Sequence, residues 1–286
     1  MELPRIIRRA QADDLANAQR TPGAYCCTFI HERLLLVRDG EHLRLPTASM
    51  LEQQGIRPET ARLLGLMNDV PCYVGALPEL EDDQRFQLVD LRQAYGHLPA
   101  HEYSLAGYAF QIEHWERTTR FCPVCGTPTE PVITEHAKRC PSCGFFQYPR
   151  VSPCIIVLIY RPGQVLLTRQ ATWQPNMYSL VAGFVEPGES LEQCLRREIA
   201  EEVGVTVADV QYLGSQPWPF PHQLMVGFRA RYADGEIDLG ELELEDARWF
   251  DLDALPTLSS PQSISRQIIN WHLASQHDPE LPFPMK

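Results

Sequence analysis

Two C-x-x-C pairs constrain the fold of this chain more than any other feature of its sequence. Fourteen residues separate the pair Cys122 and Cys125 from the pair Cys140 and Cys143. Two thiolates from each of two tight turns complete a tetrahedral zinc site. The segment around them is rich in proline and glycine and poor in apolar residues, so it cannot build a core of its own. We therefore predict a structural zinc ribbon rather than a redox pair. Its filled coordination sphere leaves no position for substrate water.

The ribbon divides the sequence into three predicted domains. Residues 1–117 combine strand-like runs such as YCCTFI with a helical stretch over 82–98, which predicts an N-terminal α+β domain. Residues 118–149 form the ribbon. Residues 150–286 begin with the buried strand CIIVLIY and a second strand, QVLLTRQ. They end in a helix whose apolar residues, from Ile264 to Trp271, fall near 3.6-residue spacing.

Charge and cysteine usage limit the possible functions. The formal net charge of −12 argues against tight non-specific binding of nucleic acid, which depends on lysine and arginine neutralising phosphates. No apolar run is long enough for a membrane helix, and the N-terminus has no signal-peptide pattern. The nine cysteines are an odd number, and five lie outside the pairs without framework spacing. We therefore expect reduced thiols in a cytoplasmic protein.

The stretch GFVEPGESLEQCLRREIAEEVGV, residues 183–205, predicts a capped helix. Ser190 and Gln193 form a capping box, so the helix should begin at Leu191, and Gly204 should end it. Leu191, Leu195, Ile199 and Val203 form an apolar stripe for the core.

Three glutamates of this helix share one face. Glu198, Glu201 and Glu202 are related by three and four residues, and like charges at these spacings repel by about a few tenths of a kcal/mol per pair. A hard divalent cation, Mg²⁺ or Mn²⁺, would reverse that repulsion. A solvated charged face is the alternative for such a helix.

The spacing of the fixed residues in this stretch resembles the box of the Nudix hydrolases. The resemblance implies an α/β/α sandwich and hydrolysis of a nucleoside diphosphate linked to another group. It also implies that Glu198 and Glu202 bind divalent metal, with Glu201 beside them, and that Glu202 or Glu201 acts as the base. Further implied roles are an ion pair of Glu189 with Arg197, a ligand from the carbonyl of Ala182 before Gly183, and an outside ligand, Glu243, with Glu241, Glu245 and Asp246 as rivals.

A second motif, SQPWPFP at residues 215–221, addresses the substrate. Its three prolines fix the backbone and should hold Trp218 and Phe220 on a rigid loop suited to stacking on a heterocycle. An ordinary proline-stiffened core loop is the alternative. Ribbon, box and motif, in this order over residues 90–270, resemble the NADH pyrophosphatases of the NudC type. That family usually has serine where this chain has Gln223 after His222.

The resemblance implies metal-dependent hydrolysis of NADH or NAD⁺ to NMNH or NMN and AMP, removal of NAD caps from RNA 5′ ends, and a homodimer. The implied substrate contacts are Arg92, Glu135, Tyr148, Phe184, Gln216, Pro217, Trp218, Pro219, Phe220, Pro221, His222, Gln223 and Ser265. Three alternatives stay open at this point. They are a Nudix hydrolase for ADP-ribose or diadenosine polyphosphate, a zinc-ribbon regulator with an inactive Nudix domain, and an RNA-directed decapping enzyme that uses free NADH poorly.

Overall fold

The structure is a computed structural model that describes residues 21–53, 55, 62–77, 79, 85–132, 134–239 and 244–284. Its contacts divide the chain into two compact units. The N-terminal unit comprises Met1–Arg150 together with Pro219–Pro221, and the C-terminal unit comprises Val151–Trp218 and His222–Lys286. No helix in the described part of the chain has the length and apolar character to cross a bilayer.

The N-terminal unit is built on a mixed sheet whose strand order is β3-β2-β1-β5-β4, with β6 paired to β2. Its strands are β1 Tyr25–Ile30, β2 Arg33–Asp39, β3 His42–Arg44, β4 Arg62–Met67, β5 Val70–Ala76 and β6 Phe86–Val89. Its helices are α1 Ala48–Glu52 and α2 Ala100–Thr118.

Each face of this sheet packs on a helix. One core cluster joins Cys27, Leu34 and Val74 to Leu105 and Ala109 of α2. Residues of opposite phase, including Cys26, Leu35 and Tyr73, pack with Ala48 and Leu51 of α1. Because neighbouring strand residues point to opposite faces, both apolar phases of β1 and β2 are buried.

The predicted helix over 82–98 is wrong for its described part. Residues 86–89 form β6, and residues 91–98 form turns. Phe86 and Leu88 pack toward α1, whereas Val89 and Leu91 lie in the cluster with α2. The Asp90 side chain accepts the N–H of Arg92 at 2.7 Å, which bends the chain after the strand. The sequence analysis also missed α2, the longest helix described.

The ribbon carries three short strands, β7 Glu130–Pro131, β8 Lys138–Arg139 and β9 Phe146–Gln147, in the order β7-β8-β9. Lys138 is buried, and its Nζ donates to the carbonyl of Glu116 at 2.8 Å, near the end of α2. A cation suits the negative end of a helix dipole, so β8 supports the C-terminus of α2.

The C-terminal unit is built on a second mixed sheet, ordered β14-β15-β10-β11-β16, with β13 paired to β10. Its elements are β10 Ser152–Arg161, β11 Gln164–Arg169, β12 Met177–Tyr178, β13 Val181–Phe184, α3 Leu191–Val203, β14 Thr206–Trp218, β15 Gln223–Asp234, β16 Asp246–Asp251, β17 Thr257–Leu258 and α4 Ile264–Ser275.

The central strand β10 explains why this unit is a sandwich. Ile155, Val157 and Ile159 pack in one cluster with Leu195, Ile199 and Val203 of α3. Cys154, Ile156 and Leu158 pack in another with Ile264, Ile268 and Trp271 of α4. A strand with helices on both faces needs a continuous apolar run, which CIIVLIY supplies. The predicted α/β/α sandwich, its two helices and the mixed α+β class are therefore confirmed.

Candidate active site

The four cysteines of the ribbon are assembled as a metal-binding set. Their sulfurs all lie within 4.8 Å of one another, with 3.5 Å between Cys122 and Cys143 and 3.4 Å between Cys125 and Cys140. Zn–S bonds of about 2.3 Å in a tetrahedron place sulfurs roughly 3.8 Å apart, so the set fits a structural zinc ion.

Tight turns produce this assembly. Backbone N–H groups of Val124 and Cys143 donate to the sulfurs of Cys122 and Cys140, each at 3.4 Å. Gly126 and Gly144 have φ of 72° and 76°, a left-handed conformation that glycine adopts without strain. The same turn is therefore built twice, as the sequence predicts.

The glutamate helix α3 begins and ends where the sequence predicts. The Gln193 N–H donates to Ser190 Oγ at 3.2 Å, and the Ser190 N–H donates to Gln193 Oε1 at 2.7 Å. Gly204 ends the helix with φ of 70°. Leu195, Ile199 and Val203 are buried, so the apolar stripe holds α3 against the sheet.

Two of the three candidate ligand glutamates on α3 face inward. Glu198 and Glu202 are only 8% and 7% exposed, whereas the side chain of Glu201 is 60% exposed. The Glu198 carboxylate lies directly against Gly183 of β13, where a Cβ would overlap it. Glycine at this position therefore lets the helix carboxylate approach the strand.

Arg197 connects the acidic side chains. Its Nε and Nη2 donate to the two carboxylate oxygens of Glu189 at 2.6 and 2.9 Å, which confirms the predicted ion pair. Its Nη1 donates to Glu198 and Glu201, each at 2.9 Å. Glu189 also accepts the N–H of Glu186 at 2.9 Å, so the pair closes the loop before the helix. The Arg197 guanidinium holds the pKa of Glu189 down to about 2.

Cys194 is a supporting residue that the sequence analysis missed. Its buried Sγ donates to the carbonyl of Phe184 at 3.4 Å, and Arg197 Nη2 donates to the same carbonyl at 3.0 Å. Burial raises the pKa of Cys194 to about 11, which keeps it a thiol donor. Its place beside the apolar stripe gave a signal for burial but none for this bond.

The carboxylates fit a hard cation but are not gathered as the cysteines are. Among the described residues, only the four cysteines bring three or more ligand atoms within 4.8 Å. On α3, the guanidinium of Arg197 lies between Glu198 and Glu201. Buried carboxylates require a compensating cation, and oxygen donors are those that Mg²⁺ or Mn²⁺ prefers.

The remaining predicted ligands lie on other segments. Ala182 is in β13, opposite Ile156. Glu243 and its rival Glu241 lie outside the described residues. The other two rivals are engaged in contacts: Glu245 pairs with Arg169, and Asp246 accepts hydrogen bonds from Tyr178 and Arg248.

The second motif forms the end of the β14–β15 hairpin. Trp218, the last residue of β14, pairs with Gln223 and packs partly against the core that contains α4. Ser152 donates its N–H to the carbonyl of His222 at 2.9 Å, and their side chains contact at 3.2 Å. Gln216 is buried and bonded to backbone groups near α4, whereas Pro217 is exposed.

Pro219, Phe220 and Pro221 belong by their contacts to the N-terminal unit. Phe220 packs against the core of that unit, and the Arg92 guanidinium lies 3.8 Å from the centre of its ring. Pro219 contacts Gly107 of α2, where a Cβ would lie 3.2 Å from Pro219 Cγ. Arg92, Phe220 and Pro221 line a cavity of about 350 Å³. Phe220 is partly buried against this core, and Trp218 is partly buried against the core of the C-terminal unit, so stacking of either ring on a substrate stays a prediction.

The exposed aromatic rings are elsewhere. Phe184, at the end of β13, is 50% exposed, and Tyr148, after the ribbon, is 58% exposed and stacks on Phe146. Glu135 accepts the N–H of Ala137 through its carbonyl. Ser265 is buried in α4 and shares a hydrogen bond of 2.7 Å with Ser179. Direct substrate contact by these four residues stays a prediction.

Three family models match the chain in order. The NADH pyrophosphatase-like rudimentary NUDIX domain matches residues 23–115, the NADH pyrophosphatase zinc ribbon domain matches 117–148, and the NUDIX domain matches 150–272.

Curated relatives cover nearly the whole chain. A protein of Pseudomonas aeruginosa described as "NAD-capped RNA hydrolase NudC" is 43% identical over 96% of this chain and 98% of its own length. A protein of Deinococcus radiodurans with the same description is 42% identical over 84% of this chain and 87% of its own. The crystal structure of a NUDIX hydrolase from Nitrosomonas europaea is similar in fold, with a TM-score of 0.50, 22% identity, and coverage of 58% of this chain and 96% of that one.

Proposed function

The chain belongs to the NudC family of NADH pyrophosphatases and NAD-capped RNA hydrolases, and from this we propose that it is an NAD(H) diphosphatase. It hydrolyses the diphosphate of NADH to NMNH and AMP, and that of NAD⁺ to NMN and AMP. The same diphosphate links NAD to the 5′ end of a capped RNA, so we propose that the enzyme also removes NAD caps.

One observation carries this proposal. Glu198 and Glu202 are buried side by side on α3, and the Glu198 carboxylate lies against Gly183. Burying two like charges at this spacing destabilises a helix, which a purely structural helix would avoid. The arrangement is useful if the carboxylates hold a cation for a polyanionic substrate. An inactive regulator would have no use for it.

We propose that Glu198 and Glu202 hold the catalytic Mg²⁺ or Mn²⁺, with Glu201, the carbonyl of Ala182 and Glu243 as additional ligands. A divalent cation held there would neutralise charge on the diphosphate and make a water molecule nucleophilic near neutral pH. The chain itself supplies the fixed carboxylates, and Arg197 with Glu189 holds the loop and helix that carry them.

We propose Glu202 as the general base, with Glu201 as the alternative. A base must hold its carboxylate in one place to accept a proton from the attacking water. Glu202 is buried beside the other ligand on α3, whereas Glu201 is exposed. This contrast supports Glu202.

Substrate recognition requires a surface for the bases and contacts for the sugar and phosphates. The exposed ring of Phe184 follows Gly183 directly and is suited to stacking on a nicotinamide or adenine. Tyr148 is a second exposed ring suited to the same use. We propose that ten further residues complete the recognition of the dinucleotide, directly or by shaping its surroundings. They are Arg92, Glu135, Pro217, Trp218, Pro219, Phe220, Pro221, His222, Gln223 and Ser265.

The larger organisation is part of the proposal. We propose domain limits of 1–117, 118–149 and 150–286; in support, both glycine turns lie within the second range and β10 begins at Ser152 in the third. We propose a cytoplasmic homodimer; a reducing compartment is supported by the absence of any disulfide among the nine cysteines, all of which lie in the described part of the chain.

A substrate panel tests the proposed activity. We expect the kcat/KM for NADH, NAD⁺ and NAD-capped RNA to exceed that for ADP-ribose, because only the first three carry a nicotinamide. Comparison of free NADH with NAD-capped RNA separates a small-molecule enzyme from an RNA-directed one. Equal kcat/KM on all four substrates would overturn the proposed specificity. If none of them is hydrolysed in the presence of Mg²⁺ or of Mn²⁺, the proposed activity is overturned.

A further inference from the structure

The side chain of Gln216 is fully engaged inside the C-terminal unit. Its Nε2 donates to the carbonyl of Gln262 at 2.8 Å, and its Oε1 accepts the N–H of Ile264 at 2.7 Å. Gln216 is buried in β14, and the two backbone groups lie in the turn that leads into α4. One carboxamide therefore joins the motif strand to the first turn of α4.

That first turn is fixed on two further sides. Ser265 and Ser179 share a hydrogen bond of 2.7 Å between buried hydroxyls, and Ser179 lies two residues before β13. At Gly227 of β15, a Cβ would lie 2.9 Å from the δ-carbons of Ile264 and Ile268, so α4 packs directly on the backbone there. The start of α4 thus contacts the motif hairpin and the segment leading into Gly183.

The end of the hairpin has few backbone hydrogen bonds of its own. Pro217, Pro219 and Pro221 have no N–H, so they donate nothing to the strand ladder. Pro217 pairs with Leu224 and Trp218 with Gln223 at the last positions of the ladder. The two buried hydrogen bonds of Gln216, one residue before Pro217, replace the backbone hydrogen bonds that the prolines cannot make.

We propose that Gln216 is a positioning residue that fixes Pro217 and Trp218 through the first turn of α4 and does not contact the substrate. This inference rests on the proposed NAD(H) hydrolysis for its kinetic consequence. Its structural consequence, an ordered hairpin end, holds without substrate. Specificity for the dinucleotide then depends on a hydrogen bond that lies entirely within the protein core.

The test compares Gln216→Leu with Gln211→Leu. Gln211 is on the same strand but exposed, where its Oε1 accepts from Arg229 at 2.7 Å. Amide hydrogen exchange is measured without substrate over residues 215–225, followed by KM and kcat with NADH. We expect Gln216→Leu to speed exchange there and raise the KM about tenfold, the size of one lost net hydrogen bond, with kcat nearly unchanged. The control should match the wild type in both measurements.

Two further variants separate positioning from direct contact. Ser179→Ala removes the other anchor of α4, so positioning predicts a smaller rise in KM and in hairpin exchange. Gln216→Glu keeps the acceptor for the Ile264 N–H, so its KM and its hairpin exchange rate should lie between those of the wild type and Gln216→Leu. It replaces Gln216→Leu if that variant does not fold. A raised KM in Gln216→Leu or Gln216→Glu with wild-type exchange would show direct contact and overturn the inference. If the wild type does not hydrolyse NADH, the proposed function fails. The exchange data still show whether Gln216 orders the end of the hairpin.

Discussion

The zinc ribbon and the glutamate helix both carry side chains of the kinds that bind metals, but they hold them in opposite ways. The ribbon brings four sulfurs within 4.8 Å of one another by repeating one glycine turn. The helix keeps its carboxylates spread along α3, with Arg197 between two of them. A fully assembled soft-ligand site suits a permanent structural ion. Carboxylates that share a neighbouring arginine suit an ion that arrives with substrate. The difference teaches that the assembly of the ligands, as well as their type, distinguishes the zinc ribbon from the proposed catalytic metal site.

Loss of a ribbon ligand should have the largest effect on folding. We expect Cys140→Ser to release the zinc and unfold the ribbon, because zinc supplies on the order of 10 kcal/mol to isolated modules of this kind. The loss should spread to α2, whose end is bonded by Lys138 of the ribbon. Zinc content and thermal unfolding measure both effects. The matched control is Cys154→Ser, since Cys154 is a buried thiol outside the ribbon, and it should keep its zinc. Full zinc content in Cys140→Ser would contradict the assignment.

Loss of a helix carboxylate should act on turnover and leave folding intact. We expect Glu202→Gln to lower kcat by about 100- to 10,000-fold, the range for removal of a general base. The thermal unfolding temperature should change little. Glu192→Gln, an exposed glutamate in the first turn of the same helix, is the control and should retain activity. Near wild-type turnover in Glu202→Gln would remove this carboxylate from the mechanism.

A single methyl group at Gly183 should disturb the helix region alone. The Cβ of Gly183→Ala would overlap the Glu198 carboxylate. Overpacking of this kind costs about 1–3 kcal/mol of unfolding free energy. We also expect a higher Mg²⁺ concentration for half-maximal activity, while the zinc content stays constant. Gly23→Ala, where a Cβ meets no atom within 4 Å, is the comparison. An unchanged Mg²⁺ requirement would show that Glu198 is not a ligand.

The smallest expected effect is the loss of stability at low pH when the Glu189–Arg197 ion pair is removed. The pKa of Glu189 is lowered to about 2 by Arg197, below the usual value of about 4.3. The pair therefore stabilises the fold fully above pH 4.3, and its contribution disappears as the pH falls toward 2. Urea unfolding at pH 5, 4 and 3 should show a steeper loss for the wild type than for Glu189→Gln. Parallel curves for the two proteins would mean that the pair contributes nothing to stability.

Local chemistry made part of the molecule predictable from its sequence. The capping box and the left-handed glycine place the ends of α3 at Leu191 and Val203, because both signals act within one turn. The ribbon sulfurs follow from the two short C-x-x-C spacings in the same way, whereas the Glu189–Arg197 pair is implied by the resemblance to the Nudix box. The buried central strand follows from its continuous apolar run, and the sandwich around it is implied by the family resemblance.

The rest depends on partners that are distant in sequence. Residues 86–91 carry both helical and alternating spacing, and the two core clusters on either side of β6 decide between them. The packing of Phe220 beside Arg92 in the N-terminal unit likewise joins residues more than 120 positions apart, which no local pattern predicts. The buried hydrogen bonds of Gln216 are not predicted either, because their partners are backbone groups 46 and 48 residues downstream, which no local pattern reveals.

The parallel pairing of β10 with β15 has a consequence for synthesis of the chain. Ser152 pairs with Gln223, so a loop of roughly 70 residues must close before the two strands meet. A ribosome releases β10 early and its parallel neighbour late, and long-range parallel pairing is slow to form. Until β15 emerges, one edge of the most apolar strand of the C-terminal unit has no partner. The nascent chain is then most exposed to aggregation, and slower translation between β10 and β15 would prolong that interval.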